Sequence, residues 1–268
     1  MKTFRPRRPR AKRSLPYKKR AMKTARVSKS IKSYVNRAIH NNVENKRQIQ
    51  YGKDQPIRTA LTGSQAPDFQ FLLPRLTAGT GAYQRVGESV KIRSGVIKGL
   101  VNLTAYSATV NPLLSPVYVK MWLLSFKTWN GTASGITSTN INSTFFDYGS
   151  SSNGFQANPL DMIAATNRSE YTVYATKMFK LGLGGATTSY PSTSIGVYDN
   201  SSWSHPFMFN WGKHVKSALK YEGTTNDIPQ SRNLYLVCQA VNSDGTIDAN
   251  VGPKVEYHFV NTIEYEDA

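Results

Sequence analysis

Acidic side chains are scarce in this sequence. Sixteen Asp and Glu stand against thirty-four Lys and Arg, a formal net charge of +18 over 268 residues. Such an excess of one sign points to a polyanionic partner. Cysteine is nearly absent too: the one thiol, Cys238, sits in the apolar run NLYLVCQAV, so no disulfide can form within the chain and a packed, inert side chain is expected. No long hydrophobic run occurs. The longest, PVYVKMWLLSF at 116–126, is interrupted by Lys120 and falls short of the about 20 residues that cross a bilayer, so no membrane insertion is expected. The polybasic amino terminus has no apolar segment behind it, which predicts no secretory signal. Five sequons, at Asn102, Asn130, Asn142, Asn167 and Asn200, therefore carry no weight as glycosylation sites.

Catalytic and metal-binding patterns are missing as well. His40, His205, His214 and His258 are scattered, with no HExxH and no neighbouring cysteine. Gly52-Lys53 and Gly212-Lys213 lack the remaining residues of a phosphate loop, and GLGG at 182–185 opens no helical pattern. Asp244 and Asp248 lie in NSDGTIDANVG, whose calcium-loop likeness fails after the glycine. The sequence predicts no catalytic residue, no metal ligand set and no cofactor.

What the chain does have is segregated charge. Seventeen of its basic residues fall within residues 1–50, opposed there only by Glu44, so this segment carries +16 and the remainder +2. Residues 1–26 contain Pro6, Pro9 and Pro16 and almost no large apolar side chain, the composition of a disordered arm. From residue 27 to about 46, Val27, Ile31, Val35, Ala38, Ile39 and Val43 recur at helical spacing among Lys29, Lys32 and Arg37. This predicts a basic amphipathic helix capped by Ser28. The expected organisation is a disordered arm at 1–26, a helical linker at 27–50 and a single β domain at 51–268.

Beyond Gly52 the hydrophobic period is two. Helix formers thin out, and Ser, Thr, Asn, Gly and Tyr become abundant. Strands are predicted at 57–62, 68–73, along ESVKIRSGVIKGLVNLTAY, and in SEYTVYATKMFKL and KVEYHFVNTIEYED. SPVYVKMWLLSFK and NLYLVCQAV, apolar on both faces, read as central strands. In the long stretch the apolar parity shifts at Ser94-Gly95, which predicts a β-bulge. Two long polar excursions, 128–169 and 183–204, read as exposed recognition loops; the first includes a short helix at NPLDMIAAT with Asn158 as cap and Pro159 in its first turn. Strands that do not alternate with helices exclude a parallel α/β sheet. The fold class is all-β, a single eight-stranded antiparallel jelly-roll sandwich.

The binding residues follow from the charge. Arg5, Arg7, Arg8, Arg10, Lys12, Arg13, Lys18, Lys19, Arg20, Lys23 and Arg26, continued by Lys29 and Lys32, are candidates for sequence-blind contact with nucleic-acid phosphates. A second candidate is FMFNWGKHVKSALKY at 207–221. Read as one strand, it places His214, Lys216 and Lys220 on a common face, with Lys213 adjacent and Phe207, Phe209 and Trp211 near enough to stack on bases. Arg7, Arg8, Arg10, Lys12 and Arg13, followed by Lys18, Lys19 and Arg20, also read as a nuclear localisation signal.

The basic Arg/Pro/Lys terminus, SKSIKSYVNRAIHNNVENK, YQRVGESVKIRSGVIKG, VYVKMWLLSFK, NRSEYTVYATKMFKL, SRNLYLVCQAVNSDG and VEYHFVNTIEYED, taken in order, resemble the capsid proteins of small circular single-stranded DNA viruses that encode a replication initiator. The resemblance covers nearly the whole chain except the two long loops. It implies a jelly-roll coat subunit that self-assembles into an icosahedral shell of about sixty copies, with arms turned inward onto a single-stranded DNA genome. It assigns Arg5 to Arg26 as genome neutralisers and Arg85 to Arg93 as the start of a shell strand. It also implies a virion location, passage through the host nucleus, and an import receptor and a cell-surface receptor as partners. Coat proteins of single-stranded RNA satellite viruses are similar. From the residues alone, a cellular β-sandwich that binds nucleic acid or carbohydrate, and a jelly-roll nuclease, stay open.

Overall fold

The structure is a computed structural model that describes residues 28–34, 45–57, 68–81, 83–104, 116–127, 144–147, 152–156, 158–182, 203–243, 245 and 254–267. The chain divides into two units, residues 1–42 and 43–268. In the first unit, 29–34 is helical. Ser28 caps it as expected, its Oγ accepting the Ile31 N–H at 3.3 Å while its carbonyl accepts the Lys32 N–H at 3.1 Å.

The second unit is built from eight main strands: β1 (Asn45–Ile57), β2 (Asp68–Phe71), β3 (Ser89–Leu103), β4 (Val117–Phe126), β5 (Tyr171–Leu181), β6 (Ser204–Asn210), β7 (Tyr235–Asn242) and β8 (Val255–Asp267). One sheet runs β1-β8-β3, with β6 on the far edge of β3 and the two-residue strand Leu219–Lys220 beside the start of β3. The other runs β2-β7-β4-β5. Every pairing between these strands is antiparallel. The pairs are nested: first with last, second with seventh, third with sixth, fourth with fifth. A long hairpin with its tip between β4 and β5, rolled so that successive nested pairs alternate between two sheets, gives this order, and it defines a jelly roll.

The apolar pattern explains which strands are central. β7 is buried at all eight positions, lying between β2 and β4 with the core on one side. β4 is apolar on both faces because its outer face is covered: Trp122 packs edge-on against Phe145, Phe146 and Phe155 at ring separations of 5.2, 6.2 and 5.7 Å. Those phenylalanines belong to the 128–169 segment, which is therefore no free loop where it is described. Phe146–Asp147, Ser152–Asn153 and Ala165–Thr166 form a small sheet, and a short helix follows at Pro159–Ile163, with Asn158 Oδ1 accepting the N–H groups of Leu160 and Asp161. The expected strand at 57–62 lies outside the described residues after Ile57, as does the 183–204 loop up to residue 202.

The predicted bulge is present. In the β3–β8 ladder Ser94 pairs with Glu264 and Ile92 with Tyr265, so Arg93 is the extra residue. The buried set on β3 accordingly changes from Val90 and Ile92 to Ile97, Val101 and Leu103. Gly95 then faces the core with no room for a side chain, since a Cβ there would sit 2.5 Å from the Trp211 ring. Trp211 in turn donates its indole N–H to Asn261 Oδ1 at 2.7 Å. The Asn261 amide donates to the Leu72 carbonyl and to Gln50 Oε1. Strand β8 alternates as expected, with Val255, Tyr257, Phe259, Ile263 and Tyr265 buried. Glu266 departs from its exposed parity: it is buried at the sheet surface with Arg93 Nε 3.2 Å and Lys91 Nζ 3.8 Å away.

The boundary between linker and domain needs correction. Residues 45–50, assigned to the linker, are the first half of β1 and pair with Glu266 to Asn261 of β8. Alternation of buried and exposed positions starts at Lys46, because its aliphatic stem and charge are both taken inside.

Candidate nucleic-acid interface

Arg5, Arg7, Arg8, Arg10, Lys12, Arg13, Lys18, Lys19, Arg20, Lys23 and Arg26 lie outside the described residues. Lys29 and Lys32 fall in the helical stretch and are exposed. Lys46, counted with the arm on its sequence position, is not available to a polyanion. Its ammonium donates to Asp267 Oδ2 at 3.0 Å and to the Gln84 carbonyl at 2.8 Å, with both side chains almost fully buried. Asp267 also accepts the Val86 N–H at 2.7 Å, so the first and last strands are joined through the 84–87 turn. Arg85 within that turn is a second internal cation. It is 1% exposed and donates to the carbonyls of Leu76, Gly87, Gly223 and Asn226, with its guanidinium 5.0 Å from the centre of the Tyr221 ring. Of the segment 85–93 assigned to the start of a shell strand, only Ser89 onward is strand.

The 207–221 segment is not one strand. β6 ends at Asn210, a single 3-10 turn covers Gly212–His214, and pairing resumes only at Leu219–Lys220. Gly212 is the reason. A Cβ there would lie 2.4 Å from the Gly95 nitrogen, so the chain crosses β3 at close range and turns. Phe207, Phe209 and Trp211 point into the core and cannot stack on bases. Lys213, Lys216 and Lys220 are exposed as expected. His214 stacks on Tyr174 with ring centres 4.6 Å apart. Burial first, then the charges of Lys213 and Lys216, push its pKa below the ordinary histidine range, so it adds no charge near neutral pH.

Close by, β5 forms one wall of an open groove of about 650 Å³, lined along Tyr171 to Thr176 and flanked by Lys127 and Arg168. Sequence reasoning passed over these two cations because they bracket a long polar segment and belong to no cluster. Together with the lysines of the 212–220 turn they offer exposed positive charge, the minimum for phosphate contact and no more than that.

Several other titratable groups among the described residues are structurally engaged. Cys238 is fully buried, and burial pushes its thiol pKa well up. His205 lies flat on Phe179 at 4.6 Å. His258 is bracketed by two carboxylates, Asp54 at 3.5 Å from Nδ1 and Glu256 at 3.7 Å from Nε2. The grouping is invisible in sequence because Asp54 is 204 residues away. Nδ1 accepts the Asp54 backbone N–H at 3.1 Å, which leaves the ring proton on Nε2 and suits a hydrogen-bonded turn better than a metal ion. Burial lowers the Lys120 pKa, opposed by Asp161. Lys120 donates to the Met162 carbonyl, and Asp161 accepts from Gln239 and from the Gln156 N–H, so this group fastens the Pro159–Ile163 helix to the second sheet. His40 lies outside the described residues.

No family model matches the chain, and no curated protein matches it. Among solved structures, the chain is similar to desmodium yellow mottle tymovirus at 12% identity, covering 98% of this chain and 96% of that one, with a TM-score of 0.31. It is also similar to the VP1 pentamer of human polyomavirus 6, at 9% identity over 83% and 95% of the two chains and a TM-score of 0.31. Merkel cell polyomavirus VP1 in complex with GD1a oligosaccharide gives 9% identity over 83% and 94%, with a TM-score of 0.28. These neighbours are viral proteins. The jelly roll of this chain stands on its own strand order.

Proposed function

We propose that the protein is a viral capsid subunit that self-assembles into a small icosahedral shell and packages a single-stranded DNA genome through its basic arm. One observation carries this reading: a chain of net +18 keeps most of its charge ahead of a jelly roll that is close to neutral. A body that must tile edge to edge cannot carry a strong charge of one sign, whereas a tethered segment that neutralises a polyanion must. About sixty arms of +14, counted up to the start of β1, would supply roughly eight hundred charges, the scale of a very small genome. Arg5 to Arg26, Lys29 and Lys32 would make the phosphate contacts, with Lys213, Lys216 and Lys220 as secondary ones. The Arg7–Arg13 and Lys18–Arg20 clusters would serve an import receptor, placing assembly in the host nucleus.

Expression of the full chain followed by negative-stain electron microscopy tests this directly. Uniform closed particles with a high ratio of 260 to 280 nm absorbance are expected. A monodisperse monomer or dimer across salt and pH overturns the shell. Deleting residues 1–26 should leave particles or smaller assemblies without nucleic acid, and unchanged packaging would refute the role of the arm. Nuclease sensitivity of the packaged strand separates DNA from RNA.

A further inference from the structure

The two sheets of the jelly roll differ on their outer sides. Trp122 on the second sheet is covered by Phe145, Phe146 and Phe155, whereas the first sheet leaves large apolar side chains bare. The strand register puts these into continuous rows. Tyr51 pairs with Val260, Val260 with Lys98, and Lys98 with Met208, a row that crosses all four strands. The row on one side runs Ile49, Thr262, Val96, Asn210; the row on the other runs His258, Leu100, Pro206. Directly opposed residues of antiparallel strands share a face. That face is the outer one, because the alternating neighbours Ile97, Phe207, Phe209 and Phe259 are all buried in the core. Tyr51 is 80% exposed, Ile49 52%, Met208 51%, Val260 47% and Leu100 45%.

We propose that this outer face of the β1-β8-β3-β6 sheet is a docking surface for a second copy of the same chain. The partner's identity rests on the shell-subunit reading, and the inference deepens it by naming one contact. Three features select this occupant. The five side chains present on the order of 500 Å² of apolar surface, at the top of the range that monomeric proteins leave bare. A four-strand face about 20 Å wide and 25 Å long, pleated and with its polar rim, reaches the about 800 Å² per partner of a specific protein interface. The charged positions carry both signs: Arg47 stands opposite Glu264 across β1 and β8 toward one end of the face, Glu256 stands on β8 toward the other, and Lys98 lies within the face between Val260 and Met208. Mixed charge of this kind complements a copy of itself, whereas a polyanion requires one sign, as the arm provides.

The test uses the full chain with Val260→Glu, Met208→Glu and Met208→Cys. Val260 and Met208 are half-exposed, so the glutamates leave near-ultraviolet circular dichroism and the thermal midpoint of the subunit unchanged. Either substitution is expected to cut the yield of closed particles at least 10-fold by sedimentation and electron microscopy. Met208→Cys, in a chain whose native thiol is buried, is expected to give covalent dimers with a short bismaleimide. Adding Val260→Glu should abolish them. Particles formed at the parental yield by both glutamate variants overturn the proposal, whether their nucleic acid is kept or lost. Loss of nucleic acid alone would reassign the face to the genome. If the parent chain makes no particles, the shell reading fails by itself. The cross-link then decides the face: dimers that Val260→Glu abolishes uphold it, and their absence refutes it.

Discussion

Replacing Lys46 by Met should cost the domain about 3–5 kcal/mol, although Lys46 lies in a segment whose charges otherwise read as solvated. The estimate follows from the site. Lys46 and Asp267 are 2% and 3% exposed, and the ammonium lies 3.0 Å from Oδ2. Removing one member of a buried pair leaves an uncompensated charge, and that is the large term. The N–H groups of Val86 at 2.7 Å and Gly87 at 3.4 Å remain on Asp267 and should hold the loss toward the lower end. Even so it is a sizeable share of the about 5–15 kcal/mol that stabilises a typical domain. Lys46→Met with Asp267→Asn should lose less than Lys46→Met alone, because the amide leaves no buried charge and can still accept one N–H. Urea unfolding of the full chain followed by tryptophan fluorescence, in high salt to suppress association, reads both values. A Lys46→Met midpoint within about 1 kcal/mol of the parent, or a double variant as unstable as the sum of the two, would refute the reasoning. The same pair makes truncations asymmetric. A chain lacking 1–44 should fold, whereas one lacking 1–50 loses Lys46 and half of β1 and should not.

Three further outcomes are expected. Arg85→Met should lose at least about 3 kcal/mol, since buried carbonyls that shared the guanidinium become unsatisfied at about 1–3 kcal/mol each while water can reach some of them; Arg85→Lys should recover little, because one ammonium cannot span the carbonyls of Leu76, Gly87, Gly223 and Asn226. Urea midpoints check both. Gly95→Ala places a methyl group 2.5 Å from the Trp211 ring and should lower stability by about 1–3 kcal/mol, visible as a lower thermal midpoint and altered near-ultraviolet tryptophan bands. Burial raises the pKa of Tyr221, Tyr235, Tyr257 and Cys238, so the folded state keeps protons that the unfolded state releases in alkali. Stability should be complete below about pH 8.5 and fall above it, by up to about 1.4 kcal/mol per pH unit for each group once it ionises in the unfolded state. A urea midpoint equal at pH 8 and pH 10.5 would contradict this.

Much of the fold was readable because its signals are local. The two-faced apolar runs of β4 and β7, the alternation of β8, the parity change beside Arg93 and the Asn158-Pro159 cap all depend on a few neighbouring residues. What escaped depends on contacts between distant ones. Phe207, Phe209, Trp211 and then Lys213 continue a period of two, so a strand was the natural reading through residue 221. It fails at Gly212, whose backbone meets Gly95 more than a hundred residues earlier. Lys46 looks like one more arm charge until Asp267, 221 residues on, is brought beside it. Asp54 and His258 meet only because β1 pairs with β8.

These long-range contacts sharpen the charge argument. With β1 starting at Asn45, fifteen of the thirty-four basic residues and Glu44 precede the jelly roll, a net +14. The other nineteen bases share the body with fifteen acids, a net +4. One charge of that remaining excess is internal: Arg85 is held by carbonyls beneath the surface, while the buried Lys46 is already offset by Asp267. On the outer face of the first sheet both signs occur, with Arg47 opposite Glu264 and Lys98 between Val260 and Met208. The body thus presents mixed charge among exposed apolar side chains, which suits contact with its own kind. The residues before Asn45 present one sign, which suits a polyanion. A cellular β-sandwich that binds nucleic acid would gain nothing from keeping those two chemistries apart, because its folded face would be the place to concentrate cations. A shell subunit requires the separation, since one part must repeat against itself while the other meets thousands of phosphate oxygens.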